Sequence, residues 1–362
     1  MFIEKLALSH FRNYTREKVH FSPGVNCIQG DNAEGKSNLL EALYLLSTGK
    51  SFRSSRLQDL IQQGASRFEI EITFVKEEIP HVLKASYGPD GRKILYNHTA
   101  YASFLPLLGI LPCVLLAPED VSILTGSPAE RRRFLDLHLS QIDPSYVHHL
   151  GRYHKAMKQK NTLLKQKQEK GIPPWEEIMA VSASYLVEKR IAMLHKLEKK
   201  IQDVILLLSE EQELFTWQYQ MHSSSTSAST FLQSWHSLRH KELLLGNTLV
   251  GPHRDDIALF IQGQEIKTYC SEGQKRSCIA ALKMAEWHHF KECFGYPPLL
   301  GIDDFGVHLD ERRTNALRKS MGSLGQVFLT APSFLQKQPH INPSSFFEVR
   351  QGSIRTGSPL HV

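Results

Sequence analysis

No apolar run in this 362-residue chain approaches the roughly 20 residues needed to cross a bilayer. The opening Met1-Phe2-Ile3-Glu4-Lys5 also lacks the basic-then-apolar layout of a secretory signal. Together these absences predict a protein that works in the cytoplasm. Cysteine is scarce: the five present, Cys27, Cys113, Cys270, Cys278 and Cys293, are odd in number, scattered and without a C-x-x-C. That excludes a disulfide framework and a zinc ribbon. The 18 histidines show no metal spacing, since His148-His149 and His288-His289 are adjacent and diverge on a helix. No heptad pattern is sustained, which excludes a long coiled coil. Charge is not extreme either; a net +6 is a mild bias toward polyanionic partners. A hydrophobic fraction of 41% over this length supports two lobes rather than one core.

What is there begins with Gly30-Asp31-Asn32-Ala33-Glu34-Gly35-Lys36-Ser37, which fits G-x-x-x-x-G-K-[ST]. In such a loop backbone N–H groups wrap the phosphates, the lysine reaches the β/γ oxygens and the hydroxyl serves Mg²⁺ at a helix N-terminus. The context agrees: residues 24–29 read as a buried strand, and Leu39, Leu40, Leu43 and Leu46 recur at helical spacing. The loop therefore predicts a nucleoside triphosphate site.

Around it the chain reads as α/β. Strands are expected at 2–8 and 18–21, with Phe11-Arg12-Asn13-Tyr14 as a turn between them whose Arg12 or Asn13 either faces nucleotide or only closes a hairpin. Residues 68–75, 82–87 and 93–96 predict an antiparallel sheet, and 111–116 a buried strand ending at Glu119-Asp120, a site or a helix start. From Ser127-Pro128 the pattern turns helical. Arg131, Arg132 and Arg133 follow, either a solvated or salt-bridged face or a DNA contact. Arg152, Lys155, Lys158, Lys160, Lys165, Lys167 and Lys170 form the most basic stretch, with Tyr146 and Tyr153 either core or base-stacking. A long amphipathic helix over 175–214 and another over 231–245 complete an arm. Strand chemistry then returns at 249–261, read as the resumption of the first lobe. Ser271-Glu272-Gly273-Gln274 opens a helix, an anion-binding position. The apolar 298–302 delivers Asp303 and Asp304 at a strand's C-terminal edge, where α/β sheets hold ligands. A final strand is expected at 326–329.

Several of these pieces together resemble the RecF family of bacterial DNA replication and repair ATPases, related to the SMC and ABC ATPases. They are Phe11-Arg12-Asn13-Tyr14, the phosphate loop, Leu116-Ala117-Pro118-Glu119-Asp120, and Gly126-Ser127-Pro128 leading to Arg131-Arg132-Arg133-Phe134-Leu135-Asp136. Gly251-Pro252-His253-Arg254-Asp255-Asp256, Ser271-Glu272-Gly273-Gln274-Lys275-Arg276 and Ile302-Asp303-Asp304 add to them. The resemblance implies an ABC-type ATPase head with an antiparallel β subdomain and an inserted α-helical lobe, here divided as 1–125, 126–247 and 248–362. It implies ATP with Mg²⁺ held between two copies. Residues 30–37 with Arg12 and Asn13 would bind nucleotide in one copy, Lys36 and Ser37 on phosphate and metal. Ser271, Gly273 and Gln274 of the second copy would close on the γ-phosphate. Asp303 would hold Mg²⁺ through water, Asp304 would polarise the attacking water, and Asp310 would sit at the interface.

The resemblance further implies an ATP-driven homodimer, weak DNA-stimulated hydrolysis, binding to single-stranded or gapped DNA, recombination mediator partners and a part in the SOS response. Lysines and arginines of residues 152–170 and the Arg131 cluster would grip DNA phosphates. Departures are also visible: Val307-His308-Leu309 replaces the family's Ser-Glu-Leu, Gly301 loosens the strand before Asp303, no glutamine marks a Mg²⁺-sensing loop, and Thr330 stands where ABC enzymes often place histidine. Rival readings are a metabolic P-loop kinase or GTPase, which leaves Ser271–Gln274 unused and lacks an acceptor or guanine motif, and a nucleotide-gated DNA scaffold without motor action.

Overall fold

The computed structural model describes residues 1–208, 214–305, 324–332 and 343–357; residues 307–310, singled out above, lie outside the described residues. The chain forms two compact units, one of Met1–Val121, Asp203–Gln212 and Ser271–Val362, the other of Ser122–Gln202 and Glu213–Cys270. No described helix is long and apolar enough to cross a membrane.

The first unit opens with β1 (Phe2–Phe11) and β2 (Tyr14–His20), then β3 (Val25–Gln29) and α1 (Lys36–Thr48). Next come β4 (Phe68–Lys76), β5 (Ile79–Gly88), β6 (Gly91–Tyr96), β7 (Thr99–Tyr101) and β8 (Cys113–Leu116). Six of these make an antiparallel sheet in the order β2-β1-β4-β5-β6-β7. Its strands alternate because one face is buried: Ile70, Ile72 and Phe74 point into the core while Glu69 and Glu71 face outward and meet Lys84. The apolar face packs with Leu39, Leu43 and Leu46 of α1 in one continuous core.

The second unit holds α2 (Ser122–Thr125), α3 (Pro128–Ile142), α4 (Pro144–Lys165), most of α5 (Pro173–Leu208), β9 (Phe215–Gln220), α6 (Ala228–Leu245), β10 (Asp256–Ile261), β11 (Gln264–Glu265) and α7 (Ile266–Tyr269). Proline opens α3, α4 and α5, where its fixed φ suits the first helical position and its missing N–H costs nothing. Asp143 caps α4 by accepting from the amides of Ser145 and Tyr146 at 2.9 and 3.2 Å. In α5 the buried Met179, Ala183, Leu186, Arg190, Leu194, Leu197 and Ile201 recur every three to four residues. One position of that stripe is therefore an arginine.

The sequence expectation returned the chain to the first lobe at residue 249. Instead β10 pairs antiparallel with β9, Ile257 opposite Tyr219 and Leu259 opposite Trp217, so the second unit runs on to Cys270. Strand β9 escaped the sequence reading because only Phe215 of its six residues is buried, which leaves no period-two pattern.

The first unit resumes with α8 (Glu272–Phe294), β12 (Leu299–Ile302), β13 (Val327–Ala331), β14 (Ser345–Arg350) and β15 (Ser353–Gly357). A second sheet runs β15-β14-β3-β13-β12-β8, parallel apart from β15. Every residue of β3, β12 and β13 is buried, as central parallel strands covered on both faces require. Gly301 does not loosen β12: a Cβ there would approach Leu115 Cδ1 to 2.9 Å. It is where β12 packs tightly against β8.

Candidate nucleotide-binding site

The loop between β3 and α1 is built for close approach. Gly35, the residue before the first turn of α1, has φ 121°, and a Cβ there would stand 2.6 Å from Asn13 Nδ2; only glycine meets both demands. Lys36 is buried, and its ammonium donates to the carbonyls of Gly30 at 2.7 Å and Asp31 at 2.8 Å. A buried cation is thus held across the loop by neutral acceptors, so an anion would gain much there.

The next residue reaches the far side of the site. Ser37 Oγ donates to Asp303 Oδ1 at 2.9 Å, and Thr330 Oγ1 donates to the same oxygen at 2.6 Å. Burial raises the Asp303 carboxyl above its ordinary pKa, the two hydroxyls oppose the rise, and the neighbouring Asp304 carboxylate adds to it. Asp304 follows in the left-handed region at φ 51°, a conformation most side chains avoid. The parallel ladder explains the placement: Ile302 pairs with Leu116 on one side and Leu329 on the other, so Asp303 and Thr330 emerge together at the C-terminal edge.

Two hairpin tips brace the loop. From the β1–β2 turn, Asn13 Nδ2 donates to Glu34 O at 2.6 Å and Tyr14 OH to Gly35 O at 2.8 Å. From the β14–β15 turn, the Gly352 amide donates to Glu34 O at 3.1 Å and the Gln351 amide to the Glu34 carboxylate. Asn13 Oδ1 also accepts from Asn38, whose own Oδ1 accepts from Arg53 at 2.9 Å. The second brace was missed in the sequence; its one signal was the Gln351-Gly352 turn between alternating residues.

Arg12 behaves differently from its neighbour. Its guanidinium grips the fully buried Glu41 of α1 through two bonds of 2.8 and 2.7 Å and donates to Asp59 O. It ties the turn to α1, while Asn13 holds the loop itself. Asp120 accepts from the Ala117 amide at 2.8 Å and pairs with Lys283 of α8 at 3.3 Å, a local cap joined to α8.

Ser271 caps α8: its Oγ accepts from the Gln274 amide at 3.2 Å while Gln274 Oε1 accepts from the Ser271 amide at 3.0 Å. Ser271, Glu272 and Gly273 are exposed, so the positive end of a 23-residue helix faces outward. Between this turn and the ends of β8 and β12 lies a pocket of about 140 Å³ lined by Pro118, Arg276, Ile279, Asp304 and Phe305, among others. Lys36, Ser37, Asp303 and Thr330 are brought together; Ser271 and Gly273 stay on the surface.

The remaining motifs converge in the second unit, where they are structural. Arg131 is buried and pairs with Asp256 through bonds of 2.7 and 2.9 Å, and Arg132 donates to Asp255 O. Arg190 donates to Asp136, Tyr146 OH, Tyr219 OH and Pro252 O. Lys160, expected among the DNA-gripping lysines, is fully buried between Glu176 at 2.8 Å and Glu242 at 2.7 Å. Arg131 and Lys160 therefore leave the basic surface, and Tyr146 and Tyr153 are core residues. Arg152, Lys155, Lys158 and Lys165 remain exposed on α4.

The family model described as RecF/RecN/SMC N terminal domain matches residues 2–336. A DNA replication and repair protein RecF from Protochlamydia amoebophila is 43% identical over 92% of this chain and 96% of its own length. One from Chlamydia caviae is 38% identical over 100% of both. A solved structure described as the recombination mediator protein RecF-ATP in the RecFOR pathway superimposes with a TM-score of 0.91 at 28% identity, over 99% of this chain and 98% of that one. An Smc head domain from Pyrococcus furiosus, at 19% identity and a TM-score of 0.58, shares the ABC-type head fold. On its sequence, its fold and its phosphate loop, the chain belongs to the RecF family within the RecF/RecN/SMC group.

Proposed function

We propose that the protein is an ATPase of DNA replication and repair in which ATP joins two copies and the joined pair holds DNA. The observation that carries this reading is the cluster at the loop mouth: Lys36 satisfied by neutral carbonyls only 2.7 and 2.8 Å away, beside a serine and an aspartate joined at 2.9 Å. Lys36 exchanges those carbonyls for β/γ-phosphate oxygens. The Ser37 hydroxyl and Asp303 carboxylate, all oxygen donors, fit Mg²⁺, which needs few protein ligands beside phosphate and water. When bound, the ion neutralises charge on the β- and γ-oxygens. Asp304 accepts a hydrogen bond from the attacking water and orients it.

The second copy supplies the other half. Its exposed Ser271 cap presents a hydroxyl and the positive N-terminal end of α8 to the γ-phosphate. Relatives described as DNA replication and repair proteins, and one solved with ATP, support the class of activity. The exposed stripe Arg152, Lys155, Lys158 and Lys165 would meet DNA phosphates without reading bases. Single-stranded or gapped DNA, weak DNA-stimulated turnover, recombination mediator partners, the SOS response and a cytoplasmic setting complete the reading.

The test is binding to labelled single-stranded, duplex and gapped DNA, with and without Mg²⁺-ATP, across salt. Binding is expected to need ATP and to weaken with a log–log slope of roughly −0.9 per duplex phosphate or −0.7 per single-strand phosphate contacted. Binding indifferent to both nucleotide and salt would overturn the reading.

A further inference from the structure

Thr330 is fully buried at the C-terminal end of β13, and both functions of its hydroxyl are used. Oγ1 donates to Asp303 Oδ1 at 2.6 Å and accepts from the Asp304 amide at 2.8 Å, while the Thr330 carbonyl accepts from the Phe305 amide at 2.8 Å. A single residue therefore holds three consecutive positions. Asp303 Oδ1 takes a second hydroxyl from Ser37; two donors on one oxygen fix the carboxylate plane and with it the direction of Oδ2. Asp304 keeps its left-handed backbone, φ 51°, a conformation that persists only where surroundings enforce it. The amide bond to Thr330 is one such constraint.

We propose that Thr330 is the positioning residue of the tandem aspartates, orienting Asp303 toward the metal through its side chain and Asp304 toward the attacking water through its backbone. The inference rests on the ATPase reading above and deepens it. A buried threonine of this geometry acts through the aspartates, so its loss should be felt as altered metal dependence before altered nucleotide contact. Valine matches the shape and lacks both bonds; serine retains them.

The test uses the full chain as wild type, Thr330→Val and Thr330→Ser, measuring ATP affinity without metal, ATP affinity across a Mg²⁺ titration, and turnover. Thr330→Val is expected to raise the Mg²⁺ needed for half-maximal ATP binding by about tenfold and to lower turnover about tenfold to a hundredfold, the range for lost outer-shell partners. Metal-free affinity and the thermal midpoint of Thr330→Ser should match wild type, and its Mg²⁺ dependence should fall within about threefold. A valine variant with wild-type Mg²⁺ dependence and turnover overturns the proposal, as does failure of valine and serine alike with lowered metal-free affinity. A wild-type chain that binds no ATP at any Mg²⁺ concentration overturns the nucleotide reading itself, and the proposal with it.

Discussion

Buried cations in this molecule are satisfied in two different ways. In the second unit Lys160 lies between Glu176 and Glu242, Arg131 meets Asp256 and Arg190 meets Asp136; each positive charge has a carboxylate beside it. In the first unit Lys283 likewise meets Asp120 and Glu286, but the Lys36 ammonium is held by two neutral carbonyls of a glycine-containing loop. A carboxylate-paired cation is neutralised at home and serves the fold. One held by carbonyls leaves its charge to be answered by a ligand. Buried lysine alone therefore does not mark a site; the charge of its partners does.

Arg190→Ala strands Asp136 and the hydroxyls of Tyr146 and Tyr219 in a buried network, and unfolding in denaturant is expected to lose about 3–5 kcal/mol, the cost of removing one partner of a buried pair. Lys36→Ala should show the reverse profile: stability within about 1 kcal/mol of wild type, with ATP affinity in calorimetry reduced at least about a hundredfold. Equal loss of stability in both variants would erase the distinction. A smaller effect tests the second unit's polar core by pH. Burial pushes the His253 imidazole down to about 4, with the Thr248 carbonyl opposing and Arg254 adding to the fall. The unfolded chain then binds the proton more readily than the folded one, so stability is present above about 6.5 and is lost as pH falls toward 4. A loss on the order of 1–3 kcal/mol is expected over that window, flattened in His253→Asn. Smallest are the surface changes: Lys155→Ala with Lys158→Ala should leave stability unchanged and lower the salt slope of DNA binding by up to roughly 2.

Legibility followed sequence distance. The phosphate loop could be read because its strand, glycines and helix are contiguous, and Asp303 because an apolar strand runs directly into it. What could not be read depended on residues far apart. For Arg131 a salt-bridged face stood beside solvent and DNA contact, and its partner Asp256, 125 positions later, decides for the salt bridge; Lys160 reads as one of many exposed lysines until Glu242 encloses it. The brace of Gln351 and Gly352 on Glu34 spans 317 positions in one of its bonds, with no local pattern to announce it. Thr330 appeared only as a departure from histidine; its bonds to Asp303 and Asp304 exist because β12 and β13 are neighbours in parallel. Arg12 and Asn13, left open together, diverge because successive residues of a tight turn face different ways.

We propose that the exposed Ser271 cap of one copy completes the nucleotide site of another. Sedimentation of wild type and Ser271→Ala, each with and without saturating Mg²⁺-ATP and with bound nucleotide counted, tests it most directly. Wild type is expected to shift from monomer to dimer with ATP, whereas Ser271→Ala binds ATP as tightly per chain but stays largely monomeric. A wild-type chain that is saturated with ATP and still monomeric would contradict it.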